Sequence, residues 1–171
     1  MTLRMSPVAL LLACGTPTDE PEDTTPTTVE VTEASFRCIT DMTAVRGFYV
    51  DNLLGDLSGT VAAAEEPLNA TWPVGSLVQL IPAEAMVKRE AGFNTTTNDW
   101  EFFALRADAE GTTILKRGGE EVENPAGSCY GCHAAAADYD LICEDDHGCV
   151  PLGVNDATIT LLQEADARCG G

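Results

Sequence analysis

Asp99-Trp100-Glu101-Phe102-Phe103-Ala104-Leu105-Arg106 decides the fold class. Aromatic residues suit a pleated surface, and apolar side chains reach both faces from Phe102 onward, so the stretch predicts a strand. Immediately upstream, Gly92 through Asn98 reads as a polar loop. Further back, Ser76-Leu77-Val78-Gln79-Leu80-Ile81 is β-rich and stops at Pro82, and Ala85-Met86-Val87-Lys88-Arg89 predicts the next strand. Downstream, Gly111 turns into Thr112-Thr113-Ile114-Leu115-Lys116, which ends at Gly118-Gly119. Short strands separated by turns predict a small antiparallel sheet.

Around these strands the texture is helical. Phe36, Ile39, Met42, Val45 and Tyr49 recur at three- and four-residue steps and predict an amphipathic helix that ends by Gly55. Residues 60–66 are Ala-rich and closed by Pro67, which predicts a short helix. A second short Ala-rich helix is expected from Cys129. A third is expected from Asp156, an N-cap candidate, through Thr158, Ile159, Leu161 and Leu162 to Ala165.

The N-terminus carries targeting chemistry. Arg4 precedes the apolar run Pro7 to Ala13, and Cys14 follows it. Leu11-Leu12-Ala13-Cys14 has the pattern of a bacterial lipobox, and the run falls short of the roughly 20 apolar residues that span a bilayer. Residues 1–13 therefore read as a lipoprotein signal peptide, with lipid carried on the Cys14 thiol. The expected location is membrane-anchored, on the periplasmic or cell-surface side. Residues 15–33 are Thr, Pro and acidic in texture, with only Val29 and Val31 strongly apolar. Such a segment cannot bury enough surface to offset its ordering entropy, so residues 14–33 are expected to be a disordered spacer and residues 34–171 the folded domain.

The 171 residues carry 28 Asp plus Glu against 9 Lys plus Arg, a formal net charge of −19. That balance argues against nucleic acid and against anionic membrane surfaces, leaving the lipid anchor as the membrane contact. It suits a basic redox protein as partner, because complementary charge speeds encounter.

Cys129-Tyr130-Gly131-Cys132-His133 has the Cys-x-x-Cys-His spacing of covalent c-type haem attachment. On a short helix, positions three apart share a face, so both sulfurs can reach the two vinyl groups of one porphyrin. The adjoining His133 then supplies an axial imidazole to the iron, and Gly131 leaves room for the macrocycle. Chance assembly from this composition gives roughly 0.003 occurrences in the chain, so the spacing is informative. One haem c is the expected cofactor.

The same residues admit other readings. Cys129, Cys132, Cys143 and Cys149 could form a structural zinc site in a binding module. A thioredoxin-like pair is a further reading, but the loop from Glu120 to Ser128 lacks the preceding strand that it requires. With lipid on Cys14 and haem on two thiols, Cys38, Cys143, Cys149 and Cys169 are left as disulfide candidates. Cys143 with Cys149 would clip the loop after the motif, and Cys38 with Cys169 would join the domain's ends. Three pairings exist, and spacing does not choose among them.

Beyond the motif, the chain resembles the cytochrome P-460 and cytochrome c′-beta family over roughly residues 36–150. The likeness rests on Trp72-Pro73-Val74-Gly75-Ser76-Leu77-Val78 at a strand start, on Glu84 to Lys88 followed by Trp100 to Phe103, and on the haem motif with Ala134, Ala135, Ala137, Asp138 and Asp140 behind it. The resemblance implies an α+β fold: a small antiparallel sheet flanked by helices, with haem c on one sheet face and homodimerisation. It also implies a five-coordinate iron held by His133, which binds small gases or nitrogen oxides or does limited redox chemistry. Members that oxidise hydroxylamine carry a cross-linking Lys where this chain has Leu80, which speaks against that activity and for the cytochrome c′-beta side.

A second axial ligand would make the protein a six-coordinate electron-transfer cytochrome. Met86 and His147 are the candidates. Trp100, Phe102 and Phe103 read as core, any of them able to cap the distal face. Leu80 would make the pocket apolar and favour uncharged diatomic ligands such as nitric oxide.

Overall fold

The computed structural model describes residues 28–144, 148 and 153–170. Its centre is a six-stranded antiparallel meander in which strand order follows chain order: β1 (Thr43–Val45), β2 (Phe48–Asn52), β3 (Ser76–Gln79), β4 (Glu84–Lys88), β5 (Trp100–Asp108) and β6 (Gly111–Gly118). Helix α1 (Leu57–Glu65) lies between β2 and β3, a two-stranded ribbon of β7 (Glu123–Asn124) and β8 (Gly127–Ser128) follows β6, and helices α2 (Cys129–His133) and α3 (Asp156–Glu164) complete the chain. This is an α+β fold built on a small antiparallel sheet.

The four strands predicted from residues 76 to 118 are present. Their pairing puts Met86 opposite both Val78 and Phe102, and a register shift follows Ala104. Alternation then sorts the core into two faces. On one face Val50, Val78, Met86, Trp100 and Phe102 pack with Ala63 and Ala64 of α1, with Cys129 of α2, and with Leu141 and Ile142. On the other, Leu77, Ala85, Val87, Phe103 and Leu105 pack with Val29, Val31, Phe36 and Met42.

Two expectations are corrected. The predicted helix from Phe36 to Gly55 does not form. Short 3-10 turns occupy Glu33–Ser35 and Ile39–Asp41, and residues 43–52 make the β1–β2 hairpin. Arg46 and Gly47 form its two-residue turn, both with positive φ (46° and 97°), the geometry that matches the twist of paired strands. Thr43, Val45, Phe48 and Val50 are β-formers, and the three-residue spacing was a coincidence of turn plus strand.

The folded part also begins before residue 34. Val29 and Val31 are buried at 1% and 6% exposure. Their carbonyls accept from Arg89 Nη2 and Arg117 Nη1, each at 2.9 Å. Both guanidiniums pair with the buried carboxylate of Glu101, so one ion network fastens the segment to the sheet. Burial of the two valines contributes about 2 kcal/mol each, enough to order a polar stretch that composition alone marks as spacer. Residues 1–27, with Cys14, lie outside the described residues.

α1 and α3 form as expected, with different caps. Asp56 accepts from Gly59 N–H to start α1, and Asn155, one residue before the predicted cap, accepts from Thr158 N–H to start α3. No helix among the described residues is long and apolar enough to cross a membrane.

Candidate functional site

Cys129, Cys132 and His133 lie on α2, which rests on the first sheet face. Ser128 caps it by accepting from Gly131 N–H at 3.0 Å, and Cys129 N–H donates to Val122 O at 3.0 Å. A side chain at Gly131 would stand 3.1 Å from Ser128 Oγ, so its small size serves this cap as well. Cys129 and Cys132 are the free cysteines among the described residues. Cys129 is 9% exposed and belongs to the buried cluster, whereas Cys132 is half-buried. Burial, and then the charge of Glu84, push the Cys129 thiol up to about 11.

His133 packs its ring on Phe102, with centroids 5.3 Å apart. Its Nδ1 lies 2.7 Å from Leu141 O. A carbonyl only accepts, so Nδ1 carries the proton. Burial pushes the imidazole pKa down, which keeps the ring neutral. A neutral ring protonated at Nδ1 presents a lone pair on Nε2, the form in which histidine binds a metal. The Cys143 sulfur stands 3.4 Å from the same Nδ1.

The sheet beneath is apolar at its middle and polar at its margins. Met86 and Phe102 form the floor, with Leu80, just past β3, packed at its edge. Glu84 and Lys88 belong to the same face of β4 as Met86. Glu84 accepts from Asn124 Nδ2 at 2.7 Å, and burial raises its pKa. Lys88 Nζ donates to Asp140 Oδ2 at 2.5 Å and to Asn98 O at 2.7 Å, and stands 5.0 Å from the centroid of the Trp100 ring. The indole nitrogens of Trp72 and Trp100, whose rings meet edge-on at 5.5 Å, are buried with no acceptor among the described residues.

These features fit a covalently bound porphyrin in their chemistry. Two unpaired thiols sit three residues apart on one turn, a neutral imidazole is fixed through its other nitrogen, and the surrounding face is apolar. The two unsatisfied indole donors add capacity for an acceptor-bearing group. For zinc the fit is poorer: Cys143 is disulfide-bonded and so offers no thiolate. Among the described residues, no group of three or more His, Cys, Asp or Glu is placed to hold a metal ion.

Several sequence candidates fall elsewhere. Phe103 packs on the opposite face with Phe36 and cannot cap a site over α2. Met86 and Leu80 belong with the site face, and Trp100 and Phe102 are core residues of that face. Cys38 and Cys169 form a disulfide, one of the pairings left open by spacing. His147 and Cys149 lie outside the described residues. Sequence reasoning missed the Leu141 carbonyl and the Lys88–Asp140 pair. A backbone acceptor leaves no signature in residue type, and a contact spanning 52 residues has no local periodicity. No family model, no curated protein and no solved structure matches this chain.

Proposed function

We propose that this chain is a lipid-anchored monohaem c-type cytochrome of the exported compartment, with haem on the α2 face of the sheet. Cys129 and Cys132 hold the porphyrin through thioethers and His133 is the axial ligand. The observation that carries the reading is His133 itself: its Nδ1 proton is committed to Leu141 O while Nε2 stays available, one residue after two free cysteines at haem-attachment spacing.

Bound haem would supply an iron centre able to take a small ligand or exchange an electron. The chain's own residues would set the conditions. Phe102 supports the imidazole ring, and Met86 and Leu80 keep the neighbouring face apolar. Such a face favours nitric oxide, carbon monoxide or a related uncharged ligand over charged substrates. Leu80 stands where the family resemblance places a cross-linking lysine, so hydroxylamine oxidation is not part of the proposal. Homodimerisation and a basic electron-transfer partner remain consistent with the resemblance and with the acidic surface. Met86, buried on the same face, is the observation behind the second reading, a six-coordinate electron-transfer protein.

Intact mass of protein from a host that matures c-type cytochromes reads covalent haem and lipid together. The expected outcome is one haem increment, lost when Cys129 and Cys132 are both replaced by Ala. His133→Ala should keep the increment but change the absorption spectrum. A ferrous high-spin spectrum that shifts on adding carbon monoxide supports the open site, whereas a low-spin spectrum indifferent to ligand favours Met86 as sixth ligand. Absence of the haem increment in the native chain would falsify the proposal.

A further inference from the structure

The carbonyl that fixes His133 comes from an improbable piece of backbone. Asp140 (φ 50°) and Leu141 (φ 66°) are consecutive residues in the left-handed region, which L side chains rarely adopt. For a bulky residue such as Leu141, that conformation persists only where surroundings over-determine it. Within the loop, Leu141 N–H donates to Ala136 O at 2.9 Å and Ile142 N–H to Tyr139 O at 3.0 Å. From outside, Asn69 N–H reaches Asp138 O at 2.9 Å. The Leu141 side chain is buried against the sheet face, and the polar contact that ties the left-handed pair to the sheet is Lys88 Nζ on Asp140 Oδ2. Both side chains are largely withdrawn from solvent, at 14% and 13% exposure. Lys88 is in turn held by Asn98 O and by the face of Trp100.

We propose that the Lys88–Asp140 ion pair positions the axial imidazole: by holding the Asp140–Leu141 turn against β4, it keeps the Leu141 carbonyl on His133 Nδ1. This rests on the reading of His133 as the iron ligand. The physical link is direct. A hydrogen bond from Nδ1–H fixes the ring's tautomer and orientation and raises the basicity of Nε2, hence its electron donation to a bound metal. Without the ion pair, the turn loses the polar contact that holds Asp140 to β4, and the backbone of Asp140 and Leu141 is left to Leu141 packing and the bonds within the loop. The turn can then relax toward right-handed geometry and carry the carbonyl off the ring. Lys88 and Asp140 are therefore positioning residues that act through His133.

Two readouts on Lys88→Met, Lys88→Arg and Asp140→Asn test this. The first is the ¹⁵N imidazole spectrum of His133 in the full chain before haem attachment, which reports the tautomer. The second is the iron–histidine stretching band of the ferrous haem protein, which reports electron donation by Nε2. The native chain should hold His133 in the Nδ1–H form. Lys88→Met should lower the Nδ1–H to Nε2–H ratio about tenfold, with the iron–histidine band moving to lower frequency. Lys88→Arg should stay near native, since it keeps the charge. Asp140→Asn should move both signals in the same direction as Lys88→Met. Asn adopts left-handed backbone at least as readily as Asp, so this variant removes charge without adding backbone strain and decides the matter if Lys88→Met does not fold. Native tautomer and native band in Asp140→Asn and in folded Lys88→Met overturn the positioning role alone. A native chain that takes up no covalent haem overturns the functional reading instead, and the tautomer measurement still decides whether the pair holds the ring.

Discussion

At Cys129, three influences act in the same direction. Burial disfavours the thiolate and the nearby Glu84 carboxylate and Cys132 repel it, while a backbone hydrogen bond and, least of all, Lys116 oppose them. Burial also raises the pKa of Glu84 itself, the charge that faces the thiol. The consequence is measurable in the full chain before haem attachment. Because the thiolate is the nucleophile, alkylation of Cys129 by iodoacetamide should stay slow at pH 8. It should rise about tenfold per pH unit and level off only near 11. Glu84→Gln removes the repulsion and should move that rise to lower pH. Peptide mass analysis after timed alkylation gives the rates, and a Cys129 rate already at its plateau by pH 8 contradicts the burial argument. At this scale the sequence singled out His133 as a candidate, because Cys-x-x-Cys-His carries its chemistry in residue types. Its hydrogen-bond partner was not, because any residue type could have supplied the Leu141 carbonyl.

Among elements, legibility followed the strength of the local signal. The strands from Ser76 to Gly118 announced themselves by β-formers bounded by Pro82, Gly111 and Gly118, and they paired as neighbours in a meander, the connection that needs least of the chain. The β1–β2 hairpin was hidden because Phe36, Ile39, Met42 and Val45 mimic a helical stripe across what is one 3-10 turn and a strand. Arg46-Gly47 was the decisive dipeptide. Gly47 has φ 97° and open space where a Cβ would project, so a side chain there meets no clash and the cost is backbone conformation alone. Gly47→Val should therefore destabilise the fold by about 1–2 kcal/mol, since a β-branched residue resists positive φ. Gly47→Asn should cost less, because Asn tolerates the left-handed region. Urea denaturation of the three chains orders them, and equal midpoints for Val and Gly would mean that the turn does not hold this geometry in solution.

In the whole molecule, the sheet separates two tasks. One face carries α2 and the candidate haem residues; the other receives Val29, Val31 and Phe36 and lies beside the C-terminal segment around Asp166. Composition suggested the first face through the motif but hid the second, since nothing in residues 28–33 signals that Arg89, Glu101 and Arg117 wait across the sheet. The end is fastened twice. Cys38 and Cys169, 131 residues apart, are bonded. Beside them, the buried Asp166 carboxylate accepts from Ile39 N–H at 2.9 Å and from the Arg168 guanidinium at 2.6 Å. Burial works to raise the Asp166 pKa, yet the Arg168 and Ile39 donors together hold it below the ordinary 3.8. A depressed carboxyl contributes stability that is present above the ordinary value and lost as pH falls through the folded one. Loop closure over this length gives the disulfide up to about 5 kcal/mol, which realistic denatured chains reduce. Replacing Cys38 and Cys169 together by Ser should therefore cost about 3–5 kcal/mol at pH 7. Its acid unfolding midpoint should lie at higher pH than that of the native chain, because the Asp166 contacts then hold the end alone. The haem increment expected under the proposed function should be unchanged, since neither cysteine belongs to the core cluster that contains Cys129. Denaturant titrations at pH 7 and pH 3, with intact mass on the same samples, read all three. A variant as acid-resistant as the native chain would show that the C-terminal attachment does not limit stability.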